Sequence, residues 1–327
     1  MTESELFKMK RIKIVFLSLI SITLLTSCAT TTVESQSKTT SNHKTPSREI
    51  ETKKETPEDL FIKSLEGITI TNVSSPKEIT KGRSFSKPFV FSAKKADGSA
   101  AEGFALTLEY PVSKSIEGIN FEKIDFVTDS EGNIYFTPAQ TTFAAKTKVN
   151  VYPTPISDDA SLPERLKPYT ASADWKVKSD IASKGAVLFI WDYNEKDRPV
   201  NNSYNIQAEF RCRGITMVGN GPVNETSYIG KPNALYKDTY DIIGGTQYGY
   251  LIYGTIKFEQ PVTENEDESG YYCLLKAEIE AVNMKNGSKI YTSVITYESI
   301  GKNWNECVSK GKDKLSQLVV DDLIYGL

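Results

Sequence analysis

From Leu65 to Pro153 the chain carries no helical stripe of apolar residues, and this excludes more folds than any other feature of it. Apolar and polar side chains instead alternate at period two in Ile68-Thr69-Ile70-Thr71-Asn72-Val73, in Phe104-Ala105-Leu106-Thr107-Leu108 and in Val149-Asn150-Val151. That period sends successive side chains to opposite faces, as in a strand with one face in a core. Lys81-Gly82, Asp97-Gly98-Ser99 and Asp129-Ser130-Glu131-Gly132-Asn133 separate the runs with residues suited to tight turns. Short strands punctuated in this way predict an all-β sandwich over residues 61–155.

The rest of the chain reads differently. Pro155, Pro163 and Pro168 mark residues 156–174 as a linker between two independently folded domains. The second domain, 175–327, opens with the continuous apolar run Ala186-Val187-Leu188-Phe189-Ile190-Trp191. Tyr204, Ile206, Phe210 and Ile215 then recur at helical spacing, and Gly219-Asn220-Gly221-Pro222 ends that segment. A second helix is expected over Ala234 to Ile243, capped by Gly244-Gly245. Three strands follow, Tyr248 to Phe258, Tyr271 to Met284 and Lys289 to Tyr297, the last two joined through an Asn286-Gly287 hairpin turn. Asn303 with Glu306 caps a final helix whose apolar stripe reads Trp304, Cys307, Val308, Leu315, Leu318, Val319 and Leu323. The order is β-α-α-β-β-β-α, with a further short strand at Thr216 to Val218 or at Ser227 to Ile229.

Two resemblances attach to these patterns. Thr128-Asp129-Ser130-Glu131-Gly132-Asn133-Ile134-Tyr135-Phe136, with Asp97-Gly98 and the strand from Gly103 to Leu108, resembles hairpins of bacterial immunoglobulin-like and carboxypeptidase-regulatory-like domains. The opening strand after Gly185, the run Gly249-Tyr250-Leu251-Ile252-Tyr253-Gly254-Thr255-Ile256 and the hairpin ending Asn286-Gly287-Ser288-Lys289-Ile290 resemble the TolB N-terminal, CsgG and LpoB group of envelope lipoproteins. The resemblance implies a multidomain chain: an Ig-like sandwich, then an α+β domain with three helices on a mixed sheet. Members of that group that form a secretion pore add long alternating hairpins, and no such insertion is present.

The N-terminus states an address. Lys10, Arg11 and Lys13 precede a run from Ile14 to Leu25 that is apolar apart from Ser18, Ser21 and Thr23. About a dozen apolar residues are too few for a permanent span, which needs about 20, but suit the core of an export signal. Leu25-Thr26-Ser27-Cys28 resembles the lipobox of bacterial lipoproteins, which implies a signal peptide over 1–27 and diacylglycerol on the Cys28 thiol. Met9 is a plausible start for that signal. Ala29 stands where an aspartate retains some lipoproteins in the inner membrane, so the outer membrane is favoured. Residues 28–60 are rich in Thr, Ser, Lys and Glu and are expected to be a disordered tether.

Composition removes several chemistries. Lys and Arg number 39 against 42 Asp and Glu, with no basic stripe, so nucleic-acid binding has no electrostatic support. The single histidine, His43, lies in the tether, which removes histidine-based triads and most zinc sites from the folded region. Cys212, Cys273 and Cys307 lack any C-x-x-C spacing; they are buried free thiols, or two of them form one disulfide in an oxidising compartment. The glycines at 214, 219, 221, 244 and 245 do not compose a phosphate loop. Asp192, Glu195 and Asp197 follow the first strand of the second domain and are expected to be solvated and splayed. Glu264, Glu266, Asp267 and Glu268 read as a solvated hairpin tip, and Asp129 to Asn133 as a turn. Many of the 17 tyrosines fall in the second domain, where strands and interfaces both favour them.

No catalytic residue, cofactor or metal is therefore assigned, and the chain is expected not to be an enzyme. The expected role is a lipid-anchored envelope binding or scaffold protein, with the membrane and an envelope protein as partners. The resemblance implies a regulator of a peptidoglycan or envelope complex. The alternatives are a carboxylate-based cell-wall or glycan hydrolase, which requires a deep acidic pocket, and a surface adhesin.

Overall fold

The computed structural model describes residues 54–245, 247–265 and 270–327. Cys28, His43, the signal peptide, the tether as far as residue 53, and Glu266, Asp267 and Glu268 lie outside the described residues.

Residues assigned to the expected tether include a helix. Thr56 and Asp59 form a reciprocal capping box, each side chain meeting the other's backbone N–H at 3.1–3.2 Å, and Pro57 takes the first helical position of α1, Pro57–Ser64. Residues 57–60 are thus helical. The local signal was present but lies among polar residues.

The first module contains β1 (Thr69–Ser74), β2 (Ile79–Thr80), β3 (Phe89–Lys94), β4 (Ala105–Lys114), β5 (Ile119–Val127), β6 (Asn133–Phe136), β7 (Ala145–Pro153) and β8 (Ala171–Lys178). Strands β1-β3-β6 form one antiparallel sheet, and β2-β8-β7-β4-β5 form a second, in which only β2 and β8 run parallel. The two sheets share one core. Phe89, Phe91, Ile134 and Phe136 meet Leu106, Leu108, Val149, Val151, Trp175 and Val177 there. Trp175 stacks on Phe89 at 5.8 Å, and Phe85 meets its edge at 4.9 Å.

β8 runs through the stretch read as a linker. Ala171, Ala173, Trp175 and Val177 are buried in strict alternation, and all of β7 from Ala145 to Val151 pairs with it. The period-two signal was carried by two alanines, whose small side chains weaken the pattern. The short helix α2, Leu162–Leu166, occupies the proline-bearing segment before it and buries both its leucines. The first module therefore extends to Lys178.

The second module holds α3 (Ile181–Lys184), β9 (Ala186–Tyr193), β10 (Pro199–Asn202), α4 (Tyr204–Cys212), β11 (Val218–Asn220), α5 (Pro232–Ile242), β12 (Tyr250–Asn265), β13 (Gly270–Asn283), β14 (Lys289–Gly301) and α6 (Trp304–Gly326). The sheet order is β10-β9-β12-β13-β14, with β11 also pairing β9. β9 runs parallel to β12 and β11, and β12-β13-β14 is an antiparallel meander. β9 is buried along its whole length, as expected of a continuous apolar run between two covered faces. Ala186, Leu188 and Ile190 face α4 and α6, while Val187, Phe189 and Trp191 face the side of α5. Trp304, expected in the buried stripe of α6, is 44% exposed: it occupies the first helical position, and its indole N–H donates to Glu195 rather than entering the core. The described residues are thus mostly β, with three sheets and a few helices.

The two modules meet directly, and residues 54–327 form one compact unit. Ser179 N–H donates to Ile324 carbonyl at 2.7 Å, Lys146 pairs with Asp321 at 2.8 Å, and Tyr325 hydroxyl donates to Glu78. Among the described residues no helix is long and apolar enough to cross a membrane.

Candidate functional site

The seam between the modules is built from lysines of one and backbone carbonyls of the other. α6 ends there, and the last carbonyls of a helix have no partner within it. Lys114, from the end of β4, donates to the carbonyls of Gly326 at 2.6 Å and Tyr325 at 3.3 Å, and to that of Ala144 at 3.2 Å. Lys81 donates to Leu327 carbonyl at 3.3 Å. Two cations thus sit at the negative end of the helix dipole, where positive charge is stabilised. Burial pulls the Lys114 ammonium below its usual value, with Asp322 opposing that and Lys81 adding to it.

Asp180 organises the neighbouring corner. It ion-pairs with Lys184 at 2.7 Å and Lys81 at 3.1 Å, and accepts from the hydroxyl of Tyr250. Burial raises its pKa, but the hydrogen bonds from Lys184, Tyr250 and Lys81 outweigh that and hold the carboxyl below its ordinary value. Burial lowers Lys81, with Asp180 opposing, and raises Tyr250 together with the same carboxylate, so the phenol stays neutral.

These groups border an open cleft of about 800 Å³. Lys81, Lys114, Lys184 and Lys285 line it, and among the described residues no Asp or Glu side chain does. Ile116, Phe143, Tyr248 and Ile290 supply apolar wall. Lys184 and Lys285 are exposed, and among the described residues Lys285 has no ion-pair partner. Lys81 and Lys114 are engaged within the seam, so the exposed Lys184 and Lys285, with a partly apolar surround, are the groups suited to anionic oxygens carried on a larger body. None of these lysines stood out in the sequence. They come from the turn after β2, from β4, α3 and the β13–β14 turn, and nothing local marks them as a charge cluster.

The residues singled out in the sequence are not brought together. Asp192 is buried, not solvated: it lies beneath α6, with Lys312 at 3.3 Å, and its Oδ1 has no partner. Its position on β9 follows Leu188 and Ile190 on the inward face, so alternation carries it into the core. Burial raises its pKa, offset in part by Lys312. Glu195 accepts from Trp304 Nε1 at 2.8 Å, and Asp197, at a positive φ of 52°, pairs with Lys257 at 3.3 Å. Each carboxylate is committed to a different partner. Glu264 accepts from Tyr271 hydroxyl at 3.3 Å. Asp129 Oδ1 accepts from the N–H groups of Glu131 and Asn133 at 2.9 and 2.8 Å, which is turn chemistry. Tyr236, Tyr240, Tyr248 and Tyr253 pack against the core on the α5 side of the sheet. All three described cysteines are free, Cys212 exposed and the other two buried.

Residues 185–324 match the family TP0693-like lipoprotein, C-terminal domain, which is less than half of the chain. The second module is therefore similar to a lipoprotein-family domain, and this points to the cell envelope. No curated protein matches the chain. Among solved structures, the PelC dodecamer of Paraburkholderia phytofirmans is 15% identical, with a TM-score of 0.29 over 42% of this chain and 86% of that one. Lipoprotein GNA1162 of Neisseria meningitidis is 16% identical, with a TM-score of 0.23 over 42% and 96%. The hypothetical protein CT253 of Chlamydia trachomatis is 11% identical, with a TM-score of 0.26 over 43% and 94%. Likeness at these scores bears on neither fold nor function.

Proposed function

We propose that this chain is a lipid-anchored binding protein of the cell envelope, held in the outer membrane through Cys28, whose work is to hold an envelope partner rather than to turn over a substrate. In this reading the first module is an Ig-like spacer, and the second is a TolB-N/CsgG-like module. The observation that carries the binding role is the cleft, lined by four lysines and, among the described residues, by no acidic side chain. Its charge complements an acidic segment of a partner protein, and its apolar wall adds contact area. The expected partner is a peptidoglycan-synthesis or other envelope complex. A hydrolase built on carboxylates has the opposite requirement, an acidic cleft.

The test replaces the two exposed lysines; because Lys184 also pairs with Asp180, the single variant Lys285→Glu is run beside the double one and the fold of both is checked by circular dichroism. Protein captured from detergent-solubilised envelopes brings down a partner with wild type, and Lys184→Glu/Lys285→Glu retains less than a tenth of it. Wild-type capture weakens as ionic strength rises. Equal recovery with the double variant rejects the cleft as the binding site. Anchoring is tested separately: Cys28→Ala abolishes incorporation of labelled palmitate, and equal labelling rejects the lipid anchor.

A further inference from the structure

Cys273 on β13 and Cys307 in the first turn of α6 approach each other with their sulfurs 3.5 Å apart, both fully buried. Several independent features hold them there. Ser299 stands directly opposite Cys273 in the β13–β14 ladder. Its hydroxyl donates to the Cys307 carbonyl at 2.7 Å, and the Cys307 thiol donates to the Ser299 carbonyl at 3.3 Å. The helix start is set by Asn303, whose side chain accepts from the N–H of Glu306 at 2.9 Å. Glycine then allows the close approach. A Cβ on Gly301 would meet the backbone N and Cα of Cys307, and one on Gly311 would lie 2.8 Å from Leu275 and 2.9 Å from Ser299. The first turns of α6 therefore press onto β13 and β14 closely enough for the sulfurs to touch. Cys212 lies exposed on α4.

We propose that Cys273 and Cys307 are a structural disulfide pair, oxidised on export and stapling the start of α6 to β13, with Cys212 left as the single free thiol of the folded region. The oxidant is a protein disulfide. One cysteine thiolate attacks it to give a mixed disulfide and a released thiol. The second thiolate then attacks the chain's own sulfur in that mixed disulfide and displaces the oxidant's other thiol. The pair loses two electrons and two protons, and the oxidant's disulfide gains them as a dithiol. The reaction precedes docking of α6, which closes both sulfurs off. The inference relies on the export contained in the proposed function, and on nothing about the cleft or its partner.

The experiment reads the thiols of the full chain as it exists in cells. Cells are quenched in acid, and the protein is denatured and alkylated without reductant, then digested. A peptide pair joined through Cys273 and Cys307 is expected, with alkylation on Cys212 and not on the other two. In vitro, oxidised glutathione generates the same cross-link in refolding wild type and in Cys212→Ser, and the oxidised protein melts about 5–10 °C above the reduced one. Alkylation of Cys273 and Cys307 in the cellular protein, or a cross-link through Cys212, overturns the proposal. Palmitate labelling and partner capture are read separately, so failure of the staple is distinguishable from failure of the proposed function.

Discussion

Asp180 is a half-buried carboxylate and Asp192 a buried one, each beside a lysine, yet their environments push them in opposite directions. Asp180 receives donors from Lys184, Lys81 and Tyr250, while Asp192 has one lysine at 3.3 Å and a bare Oδ1. The folded-state pKa of Asp180 lies below its ordinary value of 3.8. Its contribution to stability is therefore complete above that value and is lost as pH falls through the depressed folded value. Asp180→Asn is expected to lose about 2 kcal/mol at pH 7, because half-buried Lys81 loses its carboxylate partner and keeps only neutral acceptors beside it, and to lose progressively less relative to wild type in more acid buffer. Asp192 has the opposite sign: its folded pKa is raised, so its contribution is favourable below 3.8 and is lost as pH rises through the raised value. Asp192→Asn should accordingly gain on wild type as pH goes from acid to neutral. Urea midpoints measured across pH for both variants check the pair of slopes, and parallel slopes would contradict the assignment.

Among the elements, α6 carries the most. It buries Cys307, Gly311, Leu315, Val319, Val320, Leu323 and Ile324 against the sheet, and its end receives Lys81 and Lys114. Gly301→Ala places a methyl group against the backbone of Cys307, and backbone cannot yield as a side-chain tip can. A loss of about 2–3 kcal/mol is expected in chemical denaturation. Asn303→Ala removes only the cap and should cost about 1 kcal/mol. A Gly301 variant as mild as the Asn303 variant would mean that the helix is not pressed onto the sheet.

Across residues 54–327 the modules share lysine-to-carbonyl bonds, an ion pair and a backbone hydrogen bond. They are therefore expected to unfold in one calorimetric transition. Lys114→Met strips the cation from the end of α6 and removes donors from three carbonyls. It should lower the transition and broaden or split it. Two resolved transitions in the unmodified protein would show that the seam does not couple the modules.

The elements with a strong repeating pattern were legible before the structure. The continuous run of β9, the hairpin at Asn286-Gly287 and the capped stripe of α6 all appear where periodicity and turn chemistry put them, because hydrogen-bond geometry within and between near neighbours enforces those periods. β8 was hidden because alanines carry little hydrophobic contrast, and Asp192 was misread because its loop-like neighbours concealed its place in the strand. The seam was not legible at all. Lys81, Lys114, Lys184 and Lys285 look like any surface lysines in the chain, and a cleft exists only once distant segments converge. The same holds for Cys273 and Cys307, whose spacing matches no motif. Secondary structure arises from local repetition that a linear string records; a charge cluster or a sulfur pair arises from packing, which brings together residues the string keeps apart.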